Sequence, residues 1–144
     1  MCSSDLADAL IMTAAVADYR PAETHASKLK RGESTIGLEL VPNDDLLAEI
    51  GAARHAEHPV LVGFALETET DERLINAARG KLAKKRVDLV VANHPDTSIG
   101  RDTISGSLVG VREAEAFGPL SKRDAADRIL DFVVAELAKR GARK

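Results

Sequence analysis

The stretch KLAKKRVDLVVAN, Lys81 to Asn93, decides the fold class. In its first half Lys81 and Lys85 stand four residues apart and share one face of a helix. That helix reads from about Asp71 to Arg86, with Leu74, Ala78 and Leu82 at spacing four as its apolar stripe. The second half, VDLVVAN, is a short, nearly continuous apolar run that closes on a polar residue. Such a run reads as a strand buried on both faces, the signature of a parallel sheet. Working outward, VLVGFAL (Val60–Leu66) follows Pro59 and reads as another buried strand, and ALIMTAAV (Ala9–Val16) as a third.

Between them, residues 17–33 read as loop, punctuated by Pro21 and Gly32. Residues 34–41 alternate, with Ile36, Leu38 and Leu40 on one face, as a half-exposed edge or interface strand does. Asn43 or Asp44 is placed to cap a helix carrying Leu46, Leu47, Ile50 and Ala53. Residues 94–104 read as polar loop and 107–112 as a weakly alternating strand. Ser121, with Asp124 three residues on, opens a last helix whose stripe is Ile129, Phe132 or Val133, and Leu137, and Gly141 ends it. Strands alternating with helices give an α/β domain with a mainly parallel sheet. Residues 1–8 fit neither a capped helix nor a strand and are read as a disordered or non-native lead-in, so that the domain runs over residues 9–144.

The 144 residues, 44% hydrophobic and 30% charged, suffice for one soluble domain with a real core. A net charge of -3 gives no basic field, and three Phe and one Tyr supply few stacking platforms, so nucleic acid is a poor partner. The single Cys2 allows neither an internal disulfide nor a cysteine metal site, which suits a reducing cytoplasm. No apolar run approaches the length of a membrane-spanning helix. The four histidines show no metal-ligand spacing, and the glycine fingerprints of dinucleotide and P-loop sites are missing, as are the serine-hydrolase and thiol-redox motifs.

The polar residues at strand and helix ends carry what chemistry the chain has. Asp18 follows the first apolar run, where a carboxylate can accept from a base or sugar, or simply terminate a strand. Lys28, Lys30 and Arg31 suit a polyphosphate, or form a solvated charge run. Lys81 and Lys85 can clamp phosphates, or complement the dipole at their helix's end. Phe64 closes VLVGF, where it can pack on a base or enter the core, and Asn93 has the same double reading. Asn43, Asp44 and Asp45 mark a helix start that can bind anions or serve as caps.

The segments AAVADYRP, SKLKR, VPNDDLLAEIG, VGFALET and KLAKKRVDLVVAN, colinear over residues 9–93, resemble those of the phosphopantothenate–cysteine ligase family. The resemblance implies a Rossmann-like three-layer α/β domain lacking its first strand–helix units. It implies CTP as co-substrate, Mg²⁺ as helper ion, and 4′-phosphopantothenate and L-cysteine as the other substrates. The carboxylate of phosphopantothenate would be activated as an acyl-cytidylate, and the cysteine amine would then displace CMP. Lys28 matches the family's basic-loop lysine that supports acyl-cytidylate formation. Asp18, Asp44, Asp45, Leu46, Leu47, Phe64, Lys81 and Lys85 match nucleotide-contacting positions, and no residue is assigned as a metal ligand.

The resemblance also implies a homodimer, with the strand at 34–41 as part of its contact. Two departures stand out. The family's Asn-Pro-Asp appears as Asn43-Asp44-Asp45, which removes a proline and adds a charge. The family's N-terminal portion, with a glycine-rich phosphate turn, is also missing, as is the decarboxylase domain often fused ahead of it. Low ligase turnover is the expectation. A non-catalytic nucleotide-binding module of the same fold is the alternative, and a dinucleotide-binding oxidoreductase domain a weaker one.

Overall fold

A computed structural model describes residues 7–30, 35–55, 58–66 and 71–141. Five strands form one sheet in the order β1 (Ala9–Ile11), β4 (Val60–Leu66), β5 (Leu89–Asn93), β6 (Thr103–Gly110), β7 (Ala114–Ser121). Strands β1, β4 and β5 are parallel, while β6 runs antiparallel to both β5 and β7, so four of the five strands share one direction. A separate antiparallel pair joins β2 (Tyr19–Pro21) to β3 (Leu40–Pro42).

Side chains of β4 and β5 alternate between two cores. On one face Leu61, Ala65, Val90 and Ala92 pack with Leu47 of α1 (Leu46–Ala53) and with Leu74, Ala78 and Leu82 of α2 (Asp71–Lys85). On the other, Val60, Val62, Leu89 and Val91 pack with Phe117 and with Ala125, Ile129 and Val133 of α4 (Lys122–Gly141). All five residues of β5 are buried, as the middle of a helix–sheet–helix sandwich requires. The result is the Rossmann-like three-layer α/β fold that the sequence implies.

Several boundaries differ from the reading of the sequence. Of the apolar run 9–16, only Ala9–Ile11 form strand. Their register on Val60–Val62 closes with Met12 N–H donating to Val62 C=O at 2.9 Å, and the chain then leaves the sheet. The segment 17–33 is not all loop, since it holds β2. The alternating segment 34–41 pairs only at its end, where β3 begins, and residues 35–39 are not strand. Pro21 and Pro42 fall in the non-hydrogen-bonded pairs of this ladder, where a missing N–H is tolerated, and Ala22 N–H to Glu39 C=O at 2.9 Å and Asn43 N–H to Asp18 C=O at 2.8 Å close its two ends. Ile36 and Leu38 are exposed.

The helix α1 is capped by neither Asn43 nor Asp44 but by Asp45, whose carboxylate accepts from Ala48 N–H at 3.1 Å. The polar stretch 94–104 contains the short helix α3 (Pro95–Ser98) and the start of β6. Strand β7 was not expected, because AEAFGPLS carries a Gly-Pro pair. Its position at the sheet's edge accommodates Pro119, and Gly118, at φ 111°, lies where a Cβ would strike Ser105. Ser121 does cap α4: its Oγ accepts from Asp124 N–H at 3.0 Å and donates to the Asp124 carboxylate at 2.7 Å. Residues 1–6 of the expected lead-in, and Arg31, Gly32 and Ser34, lie outside the described residues.

An ion triad fastens the far end of the sheet. Asp88, just before β5, accepts from Arg54 Nη1 at 2.6 Å, Arg140 Nη2 at 2.7 Å and Leu61 N–H at 2.8 Å. It thereby ties the C-cap of α1 and the last turn of α4 to the amino ends of β4 and β5.

Candidate functional site

The carboxyl ends of β1, β4 and β5 open on a cleft of about 650 Å³. This is where an open α/β sheet offers a binding crevice. Because the chain leaves the sheet at Met12, the small residues Thr13–Ala17 run along the cleft wall instead of filling the core. Phe64 and Leu66 reach it from β4, Asn93 from β5, and Lys81 and Lys85 from α2. Asp44, Asp45, Leu46 and Leu47 reach it from the start of α1.

Asp18 and Asn43 form the two roots of the excursion from 18 to 43 that carries the basic loop. They are clasped together: Asn43 N–H donates to Asp18 C=O at 2.8 Å, and Asn43 Nδ2 donates to Ala17 C=O at 2.7 Å. Arg20 Nη1 then donates both to Asn43 Oδ1 and to Pro42 C=O, each at 2.9 Å. From sequence, Asn43 belongs to a helix start that caps or binds anions. Its work as a clasp depends on a partner 26 residues away, which no local pattern announces.

Lys85 Nζ lies 3.0 Å from Asp45 Oδ2. Partial burial pushes the Asp45 carboxyl up, but the hydrogen bonds from Lys85 and Ala48 N–H and the charges of Lys85 and Lys84 outweigh it and hold the group below the ordinary carboxylate value. One lysine of the helix pair is thus already engaged by a carboxylate. Close packing sets this contact, since a Cβ at Gly51 of α1 would overlap the carbonyl oxygen of Lys85.

The cleft therefore gathers Asp18, Asp44, Asp45, Leu46, Leu47, Phe64, Lys81 and Lys85, eight of the nine candidates. Lys28 is exposed on the excursion and does not line it. Asn93, left ambiguous by its sequence position, lines the cleft while nine-tenths buried. Ile99, just past α3, lines it too, with no sequence signal. Chemically the cleft offers two lysines, a half-exposed aromatic ring and three carboxylates. Among the described residues no three or more His, Cys, Asp or Glu side chains come together to hold a metal ion.

Comparison with known proteins places this architecture. The family profile of the DNA/pantothenate metabolism flavoprotein C-terminal domain matches residues 1–137. The coenzyme A biosynthesis bifunctional protein CoaBC of Mycobacterium bovis is 41% identical over 145 aligned positions, covering 92% of this chain and 34% of that protein. The chain thus spans about a third of the length of the curated relatives it matches.

Among solved structures, the C-terminal domain of a CoaBC protein superimposes with a TM-score of 0.72 at 29% identity, over 94% of this chain and 58% of that one. The DNA/pantothenate metabolism flavoprotein of Streptococcus pneumoniae superimposes at 0.73 over 90% of this chain and 63% of its own. At 21% identity that likeness is one of fold. By sequence and by fold the chain belongs to the DNA/pantothenate metabolism flavoprotein C-terminal domain family.

Proposed function

We propose that this chain takes part in the CTP-dependent joining of 4′-phosphopantothenate to L-cysteine. In the first half-reaction a carboxylate oxygen of phosphopantothenate attacks the α-phosphorus of CTP. The P–O bond to the β-phosphate breaks and pyrophosphate leaves with the electron pair. In the second, the cysteine amine attacks the acyl carbon, the C–O bond to the nucleotide breaks, and CMP leaves as the amine loses its proton. The observation that supports this reading most is the convergence of Lys81, Lys85, Phe64 and Asp18 on one cleft at the carboxyl ends of the strands.

In this reading Lys81 and Lys85 offset the negative charge of the triphosphate as pyrophosphate departs. Phe64 gives the base a face to pack on. Lys28 comes from the excursion whose roots, Asp18 and Asn43, line the cleft, and it supports acyl-cytidylate formation. The Asp18 and Asp44 carboxylates accept no hydrogen bond from a described residue, whereas Asp45 is held by Lys85 and Ala48. Mg²⁺ usually rests on one or two carboxylates together with substrate phosphates. Asp18 and Asp44 would hold it, and the ion would supply further charge neutralisation on the phosphates.

A homodimer is part of the same reading, with exposed Ile36 and Leu38 beside β3 in its contact. So is a cytoplasmic setting; no described helix is long and apolar enough to cross a membrane.

Pyrophosphate release by the purified chain with Mg²⁺, CTP and phosphopantothenate tests the proposal. Release that requires CTP and collapses in Lys28→Ala is the expected result. CTP binding without release from the folded chain would favour a non-catalytic nucleotide-binding module.

A further inference from the structure

We propose that Ser98 is a positioning residue that fixes which end of the Asn93 amide faces the cleft, and that the acceptor so presented selects nucleotides whose base carries an exocyclic amine. This rests on the reading of the cleft as a nucleotide site and adds a selection rule to it.

Proton accounting fixes the amide. Asn93 closes β5, is 7% exposed and lines the cleft. Its Nδ2 lies 2.7 Å from Ser98 Oγ, and Ser98 Oγ lies 2.7 Å from the His94 carbonyl oxygen. A carbonyl only accepts, so the one hydroxyl proton of Ser98 is committed to His94. Ser98 Oγ must therefore accept from Asn93, and the amide cannot flip without setting two acceptors against each other.

The fixed orientation leaves Oδ1 as the free end. It accepts from no described residue, yet it is not among the buried polar atoms without a partner. An acceptor on a nearly buried side chain that remains open to a cleft is a contact awaiting a donor. Ser98 is itself 8% exposed and is held by the turn of α3, so the support is rigid.

The donor's class follows from the neighbour. Leu66 is in register with Asn93 and Phe64 with Val91, so Phe64 and Asn93 lie diagonally on the same face of the sheet. A flat heterocycle packed on Phe64 has its edge within reach of Asn93. Cytosine and adenine present an amine N–H there, whereas uracil presents a carbonyl oxygen that would oppose Oδ1. The contact selects amine-bearing bases over uracil and draws no distinction between CTP and ATP.

Calorimetric titration with CTP, ATP and UTP in the presence of Mg²⁺ tests this. CTP should bind about tenfold more tightly than UTP, as one well-made hydrogen bond against one opposed acceptor allows. Ser98→Ala should narrow that ratio to about threefold or less, and Ser98→Thr, which keeps the hydroxyl, should restore it. A loss confined to folding would lower affinity for both nucleotides without changing their ratio, and would overturn the proposal. So would equal binding of CTP and UTP by the unaltered chain. If pyrophosphate release from CTP persisted in that case, the functional reading would stand while the selection rule fell. Failure of every nucleotide to bind would remove both. Should Ser98→Ala not fold, hydrogen exchange of the Asn93 side-chain amide in the unaltered chain decides: slow exchange is expected, and rapid exchange would overturn the proposal.

Discussion

Lys85, in the last turn of α2, holds the N-cap residue of α1, Asp45, at 3.0 Å. The two helices that bring charge to the cleft are therefore coupled through an ion pair. Folding lowers the Asp45 pKa, so the folded chain favours the ionised form. The resulting stabilisation is complete above the unfolded value of about 4 and is lost as pH falls through the lower folded value. In urea denaturation, Asp45→Asn should be less stable than the unaltered chain at pH 7, with the gap closing as pH drops below about 4. Asp45→Ala, which also removes the cap, should cost about 1 kcal/mol at neutral pH. A gap for Asp45→Asn that persisted unchanged into acid would show that Lys85 contributes nothing through charge.

Asp88 should be far less forgiving. Its arginine partners are 11% and 7% exposed at the side chain, and it also takes the N–H of Leu61. Asp88→Ala leaves two nearly buried cations facing each other and should cost about 3–5 kcal/mol in chemical denaturation. A loss under 1 kcal/mol would mean that the arginines' other contacts, such as Arg54 Nη1 to the Pro59 carbonyl oxygen, suffice without the carboxylate.

Gly51 permits α1 to lie against the end of α2. Gly51→Ala would overlap the Lys85 carbonyl and should cost about 1–3 kcal/mol while displacing Lys85 from the cleft. Thermal melts and CTP titration should both register it, and an unchanged affinity would separate the packing from the site.

Arg86 joins α2 to β5 with φ 51°, a left-handed conformation that favours glycine. Arg86→Gly should raise stability by about 0.5–1 kcal/mol, read as a shift in the urea midpoint. A drop instead would assign the Arg86 side chain a contact worth more than the backbone strain it carries.

Ile36 and Leu38 are both about two-thirds exposed. On the dimer proposed above, replacing both with Glu should convert it to a monomer by light scattering without changing the melting temperature of the domain. An unchanged mass would place any self-contact elsewhere.

The central layers were legible because their signals are local. The buried runs of β4 and β5, the stripe Leu74, Ala78, Leu82, and the Ser121 cap each declare themselves within one element. What was hidden depends on distant pairing. Alternation at Ile36 and Leu38 describes a face but supplies no partner for a ladder. The run from Ala9 looks like a full strand, yet only three of its residues find β4. Strand β7 is masked by Pro119, which its edge position tolerates, since among the described residues no strand pairs beyond it.

The site divides in the same way. Residues at the ends of elements, such as Phe64, Asp18 and Lys85, could be placed by position. The clasp of Asn43 on Ala17 and the Ser98 hydroxyl behind Asn93 arise only once separate segments meet.

Arg140 lies 52 residues downstream of the aspartate it neutralises. During synthesis from the N-terminus, Arg54, Asp88 and the two central strands emerge long before their second cation. Until the final turn of α4 leaves the ribosome, the aspartate has only half of its counter-charge and α4 is not yet tied to the amino end of the sheet. Completion of this domain is therefore deferred to the last turn of α4, and the nascent chain must hold an unfinished ion cluster while it waits.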